Sequence, residues 1–234
     1  MDLLFDSTIS AVRLLLALDA ELLEIVMVSI GVSFFSTLFA AIVGVPAGFI
    51  IAFNRFRGKR LVLTCLNTLL ALPTVVIGLL VYSFISRRGI FGSLELLYTT
   101  KAIIIGQIIL IVPVITSLTI AAIAKIDQRY RKSALTLGAN TLQTAWVICR
   151  EARFGIIAAI IAAFGRVIAE VGISMMLGGN ARGFTRTMTT AMALEYDKGE
   201  FVLAVALGLV LMTLAFAINI LFNFVQGRTS SDVV

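Results

Sequence analysis

The sequence contains no histidine. That removes His-ligated metal centres, zinc proteases among them, and imidazole acid–base catalysis. Its two cysteines, Cys65 and Cys149, are too few for a disulfide framework, and the topology below directs both toward the reducing cytoplasm. Charge is scarce: Asp, Glu, Lys and Arg make up 14% of the 234 residues, with a formal net charge of +6. In a soluble protein that excess of cations would suggest nucleic acid. Here the useful question is which side of a membrane the cations occupy, and no nucleic-acid partner is expected. The first ten residues, MDLLFDSTIS, carry two aspartates where a signal peptide needs positive charge, so no cleaved signal is expected.

What the chain has in excess is apolar surface. Hydrophobic residues reach 60% and mean hydropathy is +1.06, against about 45–50% apolar residues in soluble domains. Only a bilayer solvates that much hydrocarbon, so the chain reads as one all-α polytopic membrane domain over residues 26–226. Five stretches are long enough to cross about 30 Å at about 1.5 Å per residue: residues 25–53, 61–85, 102–124, 154–177 and 201–225. Residues 1–25 hold a shorter apolar run, Ile9 to Leu18, interrupted by Arg13 and bounded by acids. An amphipathic interfacial helix is predicted there, with a sixth span as the alternative. Residues 227–234 form a short polar tail.

Orientation follows from counting Lys and Arg. With residues 125–153 placed inside, inner segments hold eleven cations and outer ones seven. This favours an outer N-terminus and a cytoplasmic C-terminus.

Within the spans a few residues stand out. Pro46, Pro73 and Pro113 fall in different spans. Pro73 removes a backbone donor in mid-membrane, which a neighbouring helix, Thr74 or water must make good. Gly44 and Gly48 form a small-xxx-small pair that permits close helix approach. Arg166 and Glu170 are the only charges inside a span. Spaced four apart, they share one helix face and can pair. A charge at the bilayer centre costs about 2.5–3.5 kcal/mol, so both should face protein or water. Either they line a translocation path or they form a packing salt bridge.

Enzymatic readings fail on spacing. Gly178 and Gly183 mimic a phosphate loop with Thr185 in place, yet Phe184 stands where the lysine must be. The starts of nucleophile elbows at Ser33 and Ser174 lack the closing glycine, holding Phe35 and Met176 instead. No catalytic residue and no cofactor is assigned to this chain, so ATP chemistry would have to come from a partner.

One polar-flanked island lies between long apolar segments: RKSALTLGANTLQTAWVICREARF, residues 131–154. Its apolar face, including Leu142, Ala145, Trp146 and Val147, breaks at one glycine. Two short helices with a turn at Gly138-Ala139-Asn140 are predicted.

This island resembles the cytoplasmic loop of ABC-importer permeases, patterned Glu-Ala-Ala, three residues, Gly, nine residues, then Ile-x-Leu-Pro. Ala134, Gly138 and Ile148 match; Lys132 and Ser133 depart from Glu-Ala, and Arg150 and Glu151 from Leu-Pro. Thr136-Leu137-Gly138-Ala139 resembles the form in oxyanion importers. Leu72-Pro73-Thr74-Val75-Val76-Ile77-Gly78 is similar to a segment of molybdate and tungstate permeases. Gly165-Arg166-x-x-x-Glu170-x-Gly172 resembles Ala-Arg-x-x-Gly-Glu-Phe-Gly of molybdate permeases, with Ala169 replacing the glycine before the glutamate and Val171 the phenylalanine after it. Together with Ser86-Arg87-Arg88-Gly89, these features look closest to tungstate-uptake permeases.

The resemblance, which runs from about Val26 to the C-terminus, implies a type I five-span permease bundle behind the interfacial helix. It implies a prokaryotic plasma-membrane subunit of an ATP-driven importer that moves an oxyanion: tungstate, or alternatively molybdate or a sulfate-like anion. The implied partners are two ABC ATPase subunits that bind ATP and magnesium, an extracytoplasmic oxyanion-binding protein and a second copy of the chain. The loop at residues 125–153 would couple to the ATPase through Arg131, Lys132, Ser133, Ala134, Leu135, Leu137, Gly138, Ala139 and Ile148. Pro73, Thr74, Arg166, Glu170 and Ser174 would line the path or its gate. Arg182 and Arg186 would meet the anion or the binding protein outside. A stand-alone channel or secondary carrier, and an intramembrane enzyme using Arg166 and Glu170, are the readings from other classes.

Overall fold

The computed structural model describes Ile9, Arg13, Ala17, residues 19–54 and residues 56–231, with side chains as far as Val225. Most of the expected interfacial helix lies outside the described residues. Among the described residues the chain is helical with no strand: α1 Ala20–Phe53, α2 Lys59–Leu70, α3 Thr74–Ile85, a 3-10 turn Gly92–Leu94, α4 Thr100–Ala124, α5 Gln128–Thr136, α6 Thr141–Glu151, α7 Arg153–Ile168, α8 Gly172–Gly178, α9 Met188–Lys198 and α10 Phe201–Ser231.

The all-α membrane architecture read from composition holds. Helices α1, α4 and α10 are each long and apolar enough to cross a bilayer. The pairs α2/α3 and α7/α8 qualify as broken spans, which allows up to five crossings. Helix α1 starts earlier than the apolar run because Asp19 caps it: its Oδ1 accepts from Glu21 N at 3.0 Å and Leu22 N at 3.1 Å. Helix α10 continues past the expected tail boundary to Ser231.

Two predicted spans are interrupted. The stretch 61–85 breaks before Pro73, whose ring disfavours helix at Leu72. Pro73 is the N-cap of α3, and its carbonyl accepts from Val76 N at 3.0 Å. Its missing donor therefore falls at a helix start, where no intrahelical acceptor awaits one. The stretch 154–177 ends as a helix at Ile168 and restarts at Gly172. Residues 178–200, which join the last two predicted spans, contain α9, opened by a reciprocal Thr187–Thr190 capping box and closed by Gly199 at φ +79°.

The chain forms two compact units. The first comprises Met1–Ser36, Pro73–Ile109 and Gly165–Ala217; the second comprises Thr37–Leu72, Leu110–Phe164 and Ile218–Val234. In the first, α3 and α8 pack closely at glycine: a Cβ built on Gly78 would lie 2.9 Å from Met176 Sδ. Buried Ile103, Ile173, Leu177 and Met188 form its apolar interior. Small polar side chains stitch it, with Met188 N donating to Ser29 Oγ at 2.7 Å and the Ser36 hydroxyl 2.7 Å from Gln107 Oε1.

The second unit packs around Ile123, Ile148, Ala152 and Ile156, with Val45, Phe49 and Phe53 against them. The predicted close approach at Gly48 is present: a Cβ there would sit 2.7 Å from Thr116 O. Lys59 Nζ donates to Ala52 O at 3.0 Å and Asn54 O at 3.1 Å. A cation thus satisfies carbonyls at the end of α1.

Candidate functional site

The predicted pair of short helices is present as α5 and α6. Asp127 caps α5, its Oδ1 accepting from Arg129 N at 2.8 Å. The turn is a Schellman motif: Ala139 N donates to Ala134 O at 3.0 Å and Gly138 N to Leu135 O at 3.1 Å. Gly138 takes φ +81°, the left-handed conformation that glycine adopts without a Cβ clash. Asn140 then caps α6 in a reciprocal box with Gln143, both bonds 2.8 Å. Both caps and the turn between them are thereby set by local chemistry.

This geometry sorts the residues singled out in the loop. Ala134 and Ile148 are buried at 8% and 7% exposure, so they fasten the loop to its own unit. Arg131 lies over the Phe53 ring at 4.8 Å and ties α5 to the end of α1. Lys132, Ser133, Leu135, Leu137 and Gly138 are exposed, and Ala139 is half-buried. Leu137 is 87% exposed, Leu142 79% and Trp146 71%. The sequence groups Leu142 and Trp146 on one apolar face. The inward positions of α6 are instead Thr144 and Ile148, again four apart. Thr144 buries its hydroxyl by donating to Asn140 O at 2.9 Å, which leaves Leu142 and Trp146 on the free face. The signal available in sequence was the Asn140-x-x-Gln143 box, which fixes where α6 starts.

In the first unit, residues chosen from distant positions converge. A Cβ built on Gly172 would lie 3.0 Å from Thr74 Oγ1 and 3.4 Å from Glu170 Oε1. Thr74, Glu170 and the start of α8 therefore meet, with Pro73 adjacent as the cap of α3. The Ser174 hydroxyl is fully buried and has no partner among the described residues.

Arg166 and Glu170 do not form the expected pair. Helix α7 ends at Ile168, so the i,i+4 geometry is lost, and no ion pair joins them among the described residues. Arg166 is exposed, whereas Glu170 is 8% exposed. Glu170 serves the break itself: Oε1 accepts from Ile173 N at 3.3 Å, and its carbonyl accepts from Thr189 Oγ1 at 2.8 Å. Backbone groups freed by a broken membrane helix need such replacements.

Arg182 and Arg186 converge on one carboxylate. Arg182 Nη2 is 2.6 Å from Glu21 Oε2 and Arg186 Nη1 is 3.5 Å from Glu21 Oε1. They reach an anion less freely than two unpaired arginines would, and together they anchor the segment before α9 to the start of α1. Among the described residues no group of His, Cys, Asp and Glu is arranged to hold a metal.

Residues 44–231 match the family described as binding-protein-dependent transport system inner membrane component. A probable anion ABC transporter permease protein of Haloferax volcanii is 38% identical, over 89% of this chain and 92% of the relative. A tungstate uptake system permease protein of Peptoclostridium acidaminophilum is 37% identical, over 93% and 95% respectively. A sulfate transport system permease protein of Salmonella typhimurium matches at 24% over 86% of this chain. Among solved structures, the MetNI methionine ABC transporter in an inward-facing conformation has a chain that superposes with TM-score 0.72 at 18% identity. That match covers 89% of this chain and 96% of the other.

Proposed function

The chain belongs to the family of binding-protein-dependent transport system inner membrane components, and from that premise we propose that it is the permease of an ATP-driven importer carrying tungstate into the cell. The observation that carries the substrate is 37% identity along 95% of a tungstate uptake permease, against 24% for a sulfate permease. The fold supports the same class, because permease chains of ABC transporters share it.

In this reading a second copy completes the path by twofold symmetry, since so few spans in one chain enclose little space. Two ATPase subunits bind ATP and magnesium, one docking on each α5–α6 loop; Leu137 and Leu142 supply the apolar contact and Lys132 a charged one. An extracytoplasmic binding protein delivers the anion to the opposite side. The loop and the C-terminus face the cytoplasm.

Arg166 and Glu170 take different roles. An exposed guanidinium within an apolar span is costly against lipid, and its fork of donors suits a tetrahedral oxyanion. Arg166 therefore faces the path. Glu170, buried, holds the broken helix with Thr74 beside it as part of the gate's frame.

The test is tungstate uptake into vesicles containing the permease, its ATPase and its binding protein, with molybdate and sulfate as competitors. ATP-dependent uptake that sulfate does not inhibit is expected. Uptake without the ATPase would favour a stand-alone carrier and overturn the reading.

A further inference from the structure

A cavity of about 430 Å³ opens at the joint between α6 and α7 in the second unit, lined by Tyr130, Trp146, Arg150, Glu151, Arg153 and Phe154 among others. The joint coincides with an abrupt change in composition. Residues 125–153 hold six Lys or Arg and two acids, whereas residues 154–165 hold no charge at all. One of those acids, Asp127, lies 3.7 Å from Arg129. The cavity thus sits where the chain passes from a basic segment into the apolar core of the bilayer.

Its lining has two kinds of group. Trp146 and Tyr130 are exposed, and amphipathic rings of this type concentrate at the boundary between lipid and water. Arg150 and Arg153 are both exposed, and the Arg153 guanidinium lies 4.6 Å over the Phe154 ring. Neither forms an ion pair among the described residues. Glu151, half-buried, is the one opposing charge, so the lining carries one net positive charge. Guanidinium groups over a boundary pocket bind phosphate strongly, and basic pockets at the inner face of membranes take anionic headgroups.

We propose that this cavity seats the headgroup of an anionic phospholipid, its phosphate on Arg150 and Arg153 and its glycerol region against Trp146 and Phe154. The inference rests on the chain spanning a membrane and not on its substrate. Bound lipid would brace the base of the α5–α6 loop where it enters the bilayer.

Trp146 is the only tryptophan in the sequence, so intrinsic fluorescence reports on the cavity without labelling. The full chain is reconstituted in phosphatidylcholine vesicles, and Trp146 is quenched with spin-labelled phosphatidylglycerol or spin-labelled phosphatidylcholine. Phosphatidylglycerol should quench at a mole fraction on the order of tenfold lower. Arg150→Gln with Arg153→Gln should abolish that preference, and Arg150→Lys with Arg153→Lys should retain most of it. Equal quenching of the Gln variant and the wild type by phosphatidylcholine checks that the loop is still folded. Should it be unequal, each single Gln substitution is expected to weaken the preference partway.

Several results would overturn the proposal: equal quenching by both lipids, or a preference that survives the Gln substitutions. Release of the preference by millimolar inorganic phosphate would mark a soluble-anion site. Protection of Trp146 by the ATPase subunit, with no effect of lipid headgroup, would assign the cavity to subunit docking. No arm requires tungstate or transport, so failure here leaves the importer reading untouched.

Discussion

Gly138 allows strain to be separated from crowding. Its φ is +81°, yet a Cβ built on it meets nothing within 4 Å. A Cβ at this position is therefore opposed only by backbone conformation. An L residue in the left-handed region costs about 1–2 kcal/mol, with asparagine the most tolerant exception. A β-branched residue stands at the costly end. The chain can escape by returning to negative φ, but then Ala139 N and Gly138 N lose Ala134 O and Leu135 O, at about 0.5–1.5 kcal/mol for each bond. Either route disfavours the geometry that sets Leu137 beside α6 with Leu142 and Trp146. A shift of about 1–2 kcal/mol changes the population of the intact turn roughly 5–30-fold.

The assay is ATP hydrolysis and tungstate uptake by the reconstituted importer, with membrane content measured in parallel. Gly138→Asn should stay close to wild type, Gly138→Ala should lose part of coupled uptake, and Gly138→Val should lose most of it, by roughly 5–30-fold. Membrane content should stay constant through the series. Wild-type uptake by Gly138→Val would refute the coupling role of this turn. Equal damage from Asn and Val would refute the conformational argument, since the Cβ that both add meets nothing within 4 Å.

Gly48→Leu should lower the unfolding temperature in detergent, because overpacking against Thr116 O costs about 1–3 kcal/mol and backbone cannot move aside; an unchanged temperature would contradict that packing. Arg166→Met should leave thermal stability intact, as no ion pair is lost, while uptake falls; full uptake would reduce Arg166 to a bystander. Thr189→Val leaves the buried Glu170 carbonyl without its donor and should destabilise by about 1–3 kcal/mol; Thr189→Ser, which keeps the hydroxyl, should recover most of the loss. With Cys65 and Cys149 replaced, a cysteine at Asn140 should react only from inside and one at Lys198 from outside; outside labelling at Asn140 would reverse the topology and remove the docking proposal with it.

The α5–α6 loop was legible in sequence because its determinants are local. Asp127, Gly138 and Asn140 each act within a few residues, and each sits where a propensity argument places it. What hydropathy left open was rotation. Leu142 and Trp146 share an apolar face, yet burial of Thr144 and Ile148 turns another face of α6 inward. A buried threonine that satisfies itself on Asn140 O looks polar in a hydropathy sum and behaves as core. The lone tryptophan is thereby left outside, where a boundary pocket can use it.

The broken membrane helices show why the rest could not be read in this way. Charge spacing of i,i+4 presumes an unbroken helix, and whether α7 continues past Ile168 is decided by groups far away. Stopping it frees the Glu170 carbonyl and the Ile173 amide in an apolar setting, where each unpaired group is costly. Thr189 supplies the first partner from α9, 19 residues along, and Glu170 supplies the second with its own carboxylate. The segment joining the last two predicted spans is thus what permits the break, and the acid that looked like half of a salt bridge is part of the same repair. Once Glu170 is occupied, Arg166 is left as the one cation inside the five stretches predicted to cross, exposed and unpaired among the described residues. The pore-lining role proposed for Arg166 therefore depends on Thr189 and α9 as much as on Arg166 itself.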